Sequence, residues 1–145
     1  MSSGIKFTIR EMRYIALFEN ITGATVKDCI IDDERDQIMF LVKEGDMGLA
    51  IGRNGRNIHQ LENMIRKRPE IIEYSEDPVN FIKNAFRPAQ VKEIRITERQ
   101  NGKKFAIVNI NPRDKGTAIG KNGRKAERTR FLAKRYFQIE NVSIV

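Results

Sequence analysis

Two copies of one short pattern carry the residues best suited to chemistry in this chain. Gly48-Leu49-Ala50-Ile51-Gly52-Arg53-Asn54-Gly55-Arg56 recurs as Gly116-Thr117-Ala118-Ile119-Gly120-Lys121-Asn122-Gly123-Arg124, at a constant offset of 68. Each copy is a Gly-x-x-Gly loop with a basic residue inside it, another directly after it and an aliphatic residue directly before it. Glycine lets a phosphate approach the main chain, and Arg or Lys supplies the counter-charge. A helix that starts at once after the second glycine leaves its first amides unpaired, and its dipole also favours an anion. Arg53 and Arg56 in the first copy, and Lys121, Arg124 and Lys125 in the second, can neutralise phosphates. Ile51 and Ile119, with Met39 and Leu41 or Ile107 and Asn109, are placed to border a groove for unstacked bases. A nucleotide-triphosphate loop needs four residues between its glycines, then Lys and Ser or Thr. Only three residues separate Gly116 from Gly120, and Asn122 stands where the hydroxyl belongs, so that chemistry is excluded.

The elements that must hold these loops are duplicated too. Val26-Lys27-Asp28-Cys29-Ile30-Ile31 resembles Val91-Lys92-Glu93-Ile94-Arg95-Ile96 at an offset of 65, so the second copy carries three extra residues before its loop. They fall around Asn101-Gly102, a hairpin-turn pair. In the first half the pattern predicts a helix over Thr8–Ile21 with Met12, Ile15, Ala16, Leu17 and Phe18 on its apolar side and Gly23 as its stop. Strands near Val26–Ile31 and Ile38–Val42 follow, then a short helix from an Asp46 N-cap to Ile51. After the loop comes a helix to about Arg66, buried through Ile58, Leu61 and Ile65, and a strand over Ile71–Tyr74. The second half repeats the order. Asp77-Pro78 opens a helix with Val79, Phe81, Ile82 and Phe86 on its apolar face, and strands lie near Val91–Ile96 and Phe105–Ile110. Asn111-Pro112 starts a short helix, the loop leads into a helix to about Tyr136, and Ile139–Val145 is the last strand.

Composition bounds the partners. The 145 residues carry a net charge of +8, and the apolar and charged fractions are those of a globular protein. Residues 1–75 hold 11 Lys and Arg against 12 Asp and Glu, whereas residues 76–145 hold 16 against 7, so the excess lies wholly in the second half. A polyanionic partner is implied, with the second unit as its stronger grip. No apolar run reaches the ~20 residues of a membrane span, so no membrane is expected. Met1-Ser2-Ser3-Gly4 reads as a frayed start. One cysteine, Cys29, fits a reducing cytoplasm and excludes an internal disulfide framework. The linker Ser75–Asp77 is too short for a flexible tether, which predicts a semi-rigid tandem, expected to be a monomer.

Other reactive-looking residues carry less. His59 has no Cys or carboxylate partner at ligand spacing, so no zinc site is expected. Cys29 sits at an apolar strand position as a packed thiol. Asp32, Asp33, Glu34 and Asp36 lack the spacing of a calcium loop and read as a solvated hairpin tip. Arg124, Lys125, Arg128, Arg130, Lys134 and Arg135 exceed what helix capping requires. Of these, 124, 128 and 135 share roughly one helix face with Lys121, a track for a phosphate backbone. No nucleophile–base pair or paired carboxylates appear, so neither catalysis nor a cofactor is expected.

Residues 50–58 and 118–126 resemble the Gly-x-x-Gly motif of KH domains, which clamp about four nucleotides of a single strand. The α-β-β-α-α-β order is similar to the type II KH fold. The tandem, over essentially the whole chain, resembles the KH pair of NusA transcription factors and in particular the short archaeal NusA-like proteins. The resemblance implies an α+β fold of two tandem KH domains, residues 1–75 and 76–145, each with a three-stranded sheet covered by helices. It implies single-stranded RNA as ligand, contacted by Gly52, Arg53, Asn54 and Gly55 and by Gly120, Lys121, Asn122 and Gly123. It further implies action on nascent transcripts in elongation and termination, with RNA polymerase or other transcription factors as partners. The N-terminal polymerase-binding and OB-fold domains of the bacterial factor have no counterpart within these residues. A ribosome- or rRNA-associated KH protein, and an interaction adaptor that binds RNA weakly, remain alternatives. Ala126 replaces the bulkier aliphatic found at Ile58, which predicts a second groove that is either shallower there or packed from elsewhere.

Overall fold

The computed structural model describes residues 5–145. The start Met1-Ser2-Ser3-Gly4 lies outside the described residues. The chain divides into two compact units, Met1–Ser75 and Glu76–Val145.

In the first unit, helix α1 (Ile9–Thr22) begins at a capping box: the Thr8 hydroxyl accepts from the Glu11 amide, and the Glu11 carboxylate accepts from the Thr8 amide. It ends at Gly23, whose φ of +78° is left-handed and which donates back to the Glu19 carbonyl. Phe18 is its fully buried anchor, with Tyr14, Ile15, Leu17 and Ile21 packed beside it. Met12 is 50 % exposed and Ala16 is exposed as well, so the buried stripe is rotated from the one read in sequence. Strands β1 (Val26–Asp32) and β2 (Gln37–Val42) pair antiparallel, and β3 (Glu70–Glu73) joins β2 in parallel. Between β2 and β3 run α2 (Met47–Ile51) and α3 (Arg56–Ile65), the crossover that a parallel pair requires. Ile38, Phe40 and Val42 alternate onto the face that meets Phe18, Leu61 and Ile65, and the Phe18 and Phe40 rings lie 4.5 Å apart.

The second unit repeats this plan with α4 (Pro78–Phe86), β4 (Val91–Glu98), β5 (Lys104–Ile110), α5 (Lys115–Ile119), α6 (Arg124–Phe137) and β6 (Ile139–Ile144). The sheet order is β4-β5-β6, antiparallel then parallel, matching β1-β2-β3. Even the irregularity at the start of the first strand is copied, between Val26 and Asp28 and between Val91 and Glu93. Asp77 caps α4 through the Val79 amide, and Phe81, Ile82, Ala85 and Phe86 are buried with Ala106, Val108, Ile110, Leu132 and Val142. The Asn101-Gly102 turn closes with Arg99 and Lys103 paired across it and Gly102 at φ +82°. Helix α6 has 14 residues against 10 in α3, one further turn. These are two three-stranded sheets packed by helices, an α+β architecture. Among the described residues no helix is long and apolar enough to cross a membrane.

Candidate nucleic-acid interface

Each glycine loop is a single tight turn between two helices. Gly52 has φ +78° and ψ 171°, and Gly120 has +79° and 170°, a region essentially closed to residues with a side chain. Asn54 and Asn122 are left-handed at φ +56° and +57°, which Asn tolerates better than most residues. Gly55 and Gly123 are left-handed as well, after which Arg56 and Arg124 enter the right-handed helix. In both turns the second glycine donates to the carbonyl of the first at 3.1 Å. Neither α3 nor α6 has a side chain capping its first turn. The loop therefore presents uncapped amides, a helix dipole and basic side chains at one place, the composition of an anion cradle.

The crossing of the two helices explains the first glycine. A Cβ on Gly52 would stand 2.7 Å from Asn57 Cγ, and one on Gly120 would stand 2.8 Å from Lys125 Cβ. In the first unit Asn57 also spans the turn, its Nδ2 donating to the Leu49 carbonyl at 2.7 Å. Arg53, Asn54, Arg56, Lys121 and Asn122 are exposed. Ile51 and Ile119 are 39 % and 42 % exposed beside their loops, over the fully buried Ala50 and Ala118. The expected groove borders differ between units. Ile107 and Asn109 are exposed, whereas Met39 and Leu41, which alternate away from the helix-facing Ile38 and Phe40, are closed to solvent. Ala126 is buried, while Ile58 is half-buried.

The basic residues of α6 separate into two sets. Lys125 Nζ donates to the Arg87 carbonyl, Arg128 Nη2 to the Ala85 carbonyl at 3.2 Å, and Arg130 Nε to the Val142 carbonyl at 2.9 Å. Two of these carbonyls lie at the C-terminal end of α4, where helix geometry leaves acceptors without intrahelical donors. Burial lowers the Lys125 pKa and brings Arg128 down to about 10. The backbone track expected through Arg128 is thus interrupted, because that guanidinium is turned into the unit. Arg124 remains at the mouth of the loop, and its shielded Nε has no acceptor among the described residues.

Two aspartates not singled out as a pair in sequence hold both sites in register. Asp46 stands at the N-cap position of α2, as its sequence predicts, but its carboxylate accepts from the Thr25 amide at 2.8 Å and not from the helix. Asp114 accepts equivalently from the Gln90 amide at 3.0 Å. Each thus ties the start of the loop's first helix to the residue preceding the first strand. Their shared offset of 68 was the available signal. The acidic β1–β2 turn is also engaged: Asp33 forms a two-point pair with Arg10 at 2.7 and 2.8 Å, and Asp36 meets Lys67 at 3.1 Å. His59 is exposed on α3, 4.0 Å from Glu62. Among the described residues no His, Cys, Asp or Glu cluster could hold a metal ion.

Comparison with known proteins agrees with this geometry. Residues 12–83 match the KH domain family and residues 78–144 the NusA-like second KH domain. A probable transcription termination protein NusA from Halococcus morrhuae is 38 % identical over 92 % of this chain and 93 % of its own length. The protein of the same description from Methanocaldococcus jannaschii is 35 % identical over 97 % of this chain and 75 % of its own. The solved crystal structure of APE1850 is 41 % identical, with a TM-score of 0.79 over 96 % of this chain and all of that one. Two matched KH units, these relatives and the paired loops place the chain in the tandem KH-domain family of NusA-like proteins.

Proposed function

We propose that this protein binds single-stranded RNA and acts on nascent transcripts in the cytoplasm, in transcription elongation and termination. The observation that carries this is the recurrence of one loop conformation in both units, with the backbone angles of the first glycine and of the Asn agreeing to within 1°. Nothing about packing alone requires a basic residue at the exposed tip of both turns. Gly52, Arg53, Asn54, Gly55 and Arg56, and Gly120, Lys121, Asn122, Gly123 and Arg124, hold phosphates, with Ile51 and Ile119 against the bases. Lys125 and Arg128 support the second loop from behind. RNA polymerase and other transcription factors are its proposed protein partners, in keeping with the transcription termination role that the relatives' names state.

The test is to replace Arg53 and Asn54 by Asp, and separately Lys121 and Asn122 by Asp. Asp tolerates the left-handed backbone at 54 and 122, so the fold survives and circular dichroism should be unchanged. Single-stranded RNA affinity should fall sharply in each variant and vanish in the combination. Unchanged affinity in folded variants would sink the proposal. With about eight phosphates neutralised across the two units, log K should fall with log salt at a slope of about −5 to −6. A flat dependence indicates an adaptor with weak RNA binding. The charge excess of the second unit further predicts the larger loss from the Lys121–Asn122 change.

A further inference from the structure

Helix α6 carries one exposed aromatic residue on a basic face. Phe131 is 51 % exposed, and the Arg135 guanidinium lies 5.5 Å from its ring centroid. At 100° per residue, Arg124, Phe131 and Arg135 fall within about 20° of one line along the helix, and Phe131 lies about 10 Å beyond Arg124. With Lys125, Arg128 and Arg130 turned onto main-chain carbonyls, the remaining cations of α6 are the exposed Lys134 and the half-buried Arg124 and Arg135. Exposed Glu127 is the one opposing charge on α6, and Lys134 lies 3.8 Å from Glu140. The first unit has no equivalent of the ring, because Asn63 stands at the position of Phe131, and its cations at the positions of Lys134 and Arg135, Arg66 and Lys67, lie beyond the end of α3.

We infer that the outer face of α6 extends the RNA path of the second loop, with a nucleobase stacked on Phe131 beside Arg135. This rests on the loop acting as a phosphate clamp. The face begins at Arg124, directly after the loop, so the two surfaces are continuous. Its charge suits a polyanion, and its single aromatic ring offers what an unstacked base requires: a flat apolar surface next to a guanidinium. An acidic peptide would match the charge but has no need of the ring.

The test compares mixed-sequence RNAs of four and twelve nucleotides by fluorescence anisotropy. Phe131→Ala should weaken the twelve-mer about five- to a hundredfold, the range of one lost base stack, and leave the four-mer unchanged. Phe131→Trp should keep the wild-type affinity. Arg135→Gln should weaken the twelve-mer and reduce its salt slope by about 0.7. Ultraviolet crosslinking followed by mass spectrometry should place RNA on the peptide containing Phe131. A twelve-mer affinity unchanged in Phe131→Ala, or an equal loss on both lengths, overturns the inference. Failure of the loop clamp shows separately, as four-mer binding insensitive to the combined loop substitutions at Arg53, Asn54, Lys121 and Asn122.

Discussion

The Arg128 guanidinium donates to the Ala85 carbonyl at 3.2 Å, joining the middle of α6 to the last turn of α4. A cation at a helix C-terminus meets both an acceptor without an intrahelical donor and the negative end of the dipole. We therefore propose that Arg128 braces α6 against α4, although its type and spacing match those of a phosphate contact. Arg128→Ala should lower unfolding stability by about 1.5–3 kcal/mol, the usual range for a hydrogen bond to a charged group. The salt slope of RNA binding should stay unchanged. Urea unfolding and affinities at several salt concentrations check both; a reduced slope would place Arg128 on the RNA.

The two glycines of the second loop should differ in their tolerance of alanine. Gly120→Ala sets a Cβ 2.8 Å from Lys125 Cβ and 3.0 Å from its backbone nitrogen, at a φ of +79°. A loss of about 2–3 kcal/mol is expected from this clash and strain. Gly123→Ala meets nothing within 4 Å and should cost about 1 kcal/mol for its left-handed backbone. Thermal unfolding of the two variants side by side tests the order. Equal losses would refute the steric account.

Asp33 should titrate below the ordinary aspartate range. Its hydrogen bonds and charge pairing with Arg10 favour the carboxylate, with Lys67 adding a smaller effect. The stabilisation from this pair is present above the unfolded pKa of about 3.9 and is lost as pH falls through the lowered folded value. Both partners are well exposed, so salt should weaken it. Carboxyl titration by nuclear magnetic resonance should return Asp33 to the ordinary range in Arg10→Gln. No change in that variant would contradict the assignment.

Cys29 should be inert in the native protein. Its side chain is 1 % exposed, and burial, with Glu11 and Asp28 nearby, pushes the thiol up to about 12. Thiol reagents at pH 8 should modify it only as fast as the unit unfolds. The unfolded thiol ionises near 8.5 and the folded one near 12, so stability from this group is intact below that window and declines across it, at up to about 1.4 kcal/mol per pH unit. Cys29→Ala should flatten the alkaline limb. An equally steep limb in that variant would assign it to other groups.

Much of this molecule was legible in its sequence because the informative signals are local. Backbone freedom at Gly52 and Gly120, the apolar runs of β2 and β5, and the Asn101-Gly102 turn depend on residues close together in the chain. Duplication at a constant offset made the loop geometry a repeated observation. Spacing along α6 likewise put Arg124, Arg128 and Arg135 near one line. Spacing does not say what stands opposite a helix face. Only the tertiary structure brought the end of α4 against Arg128 and the Val142 carbonyl against Arg130, leaving Phe131 exposed between the half-buried Arg124 and Arg135. It also turned the Asp46 carboxylate, at the N-cap of α2, to the Thr25 amide and paired Asp33 with Arg10, 23 residues apart. The loop conformations were thus written in short-range sequence, while the division of the α6 cations between main-chain contacts and the surface was set by long-range contacts that satisfy main-chain carbonyls.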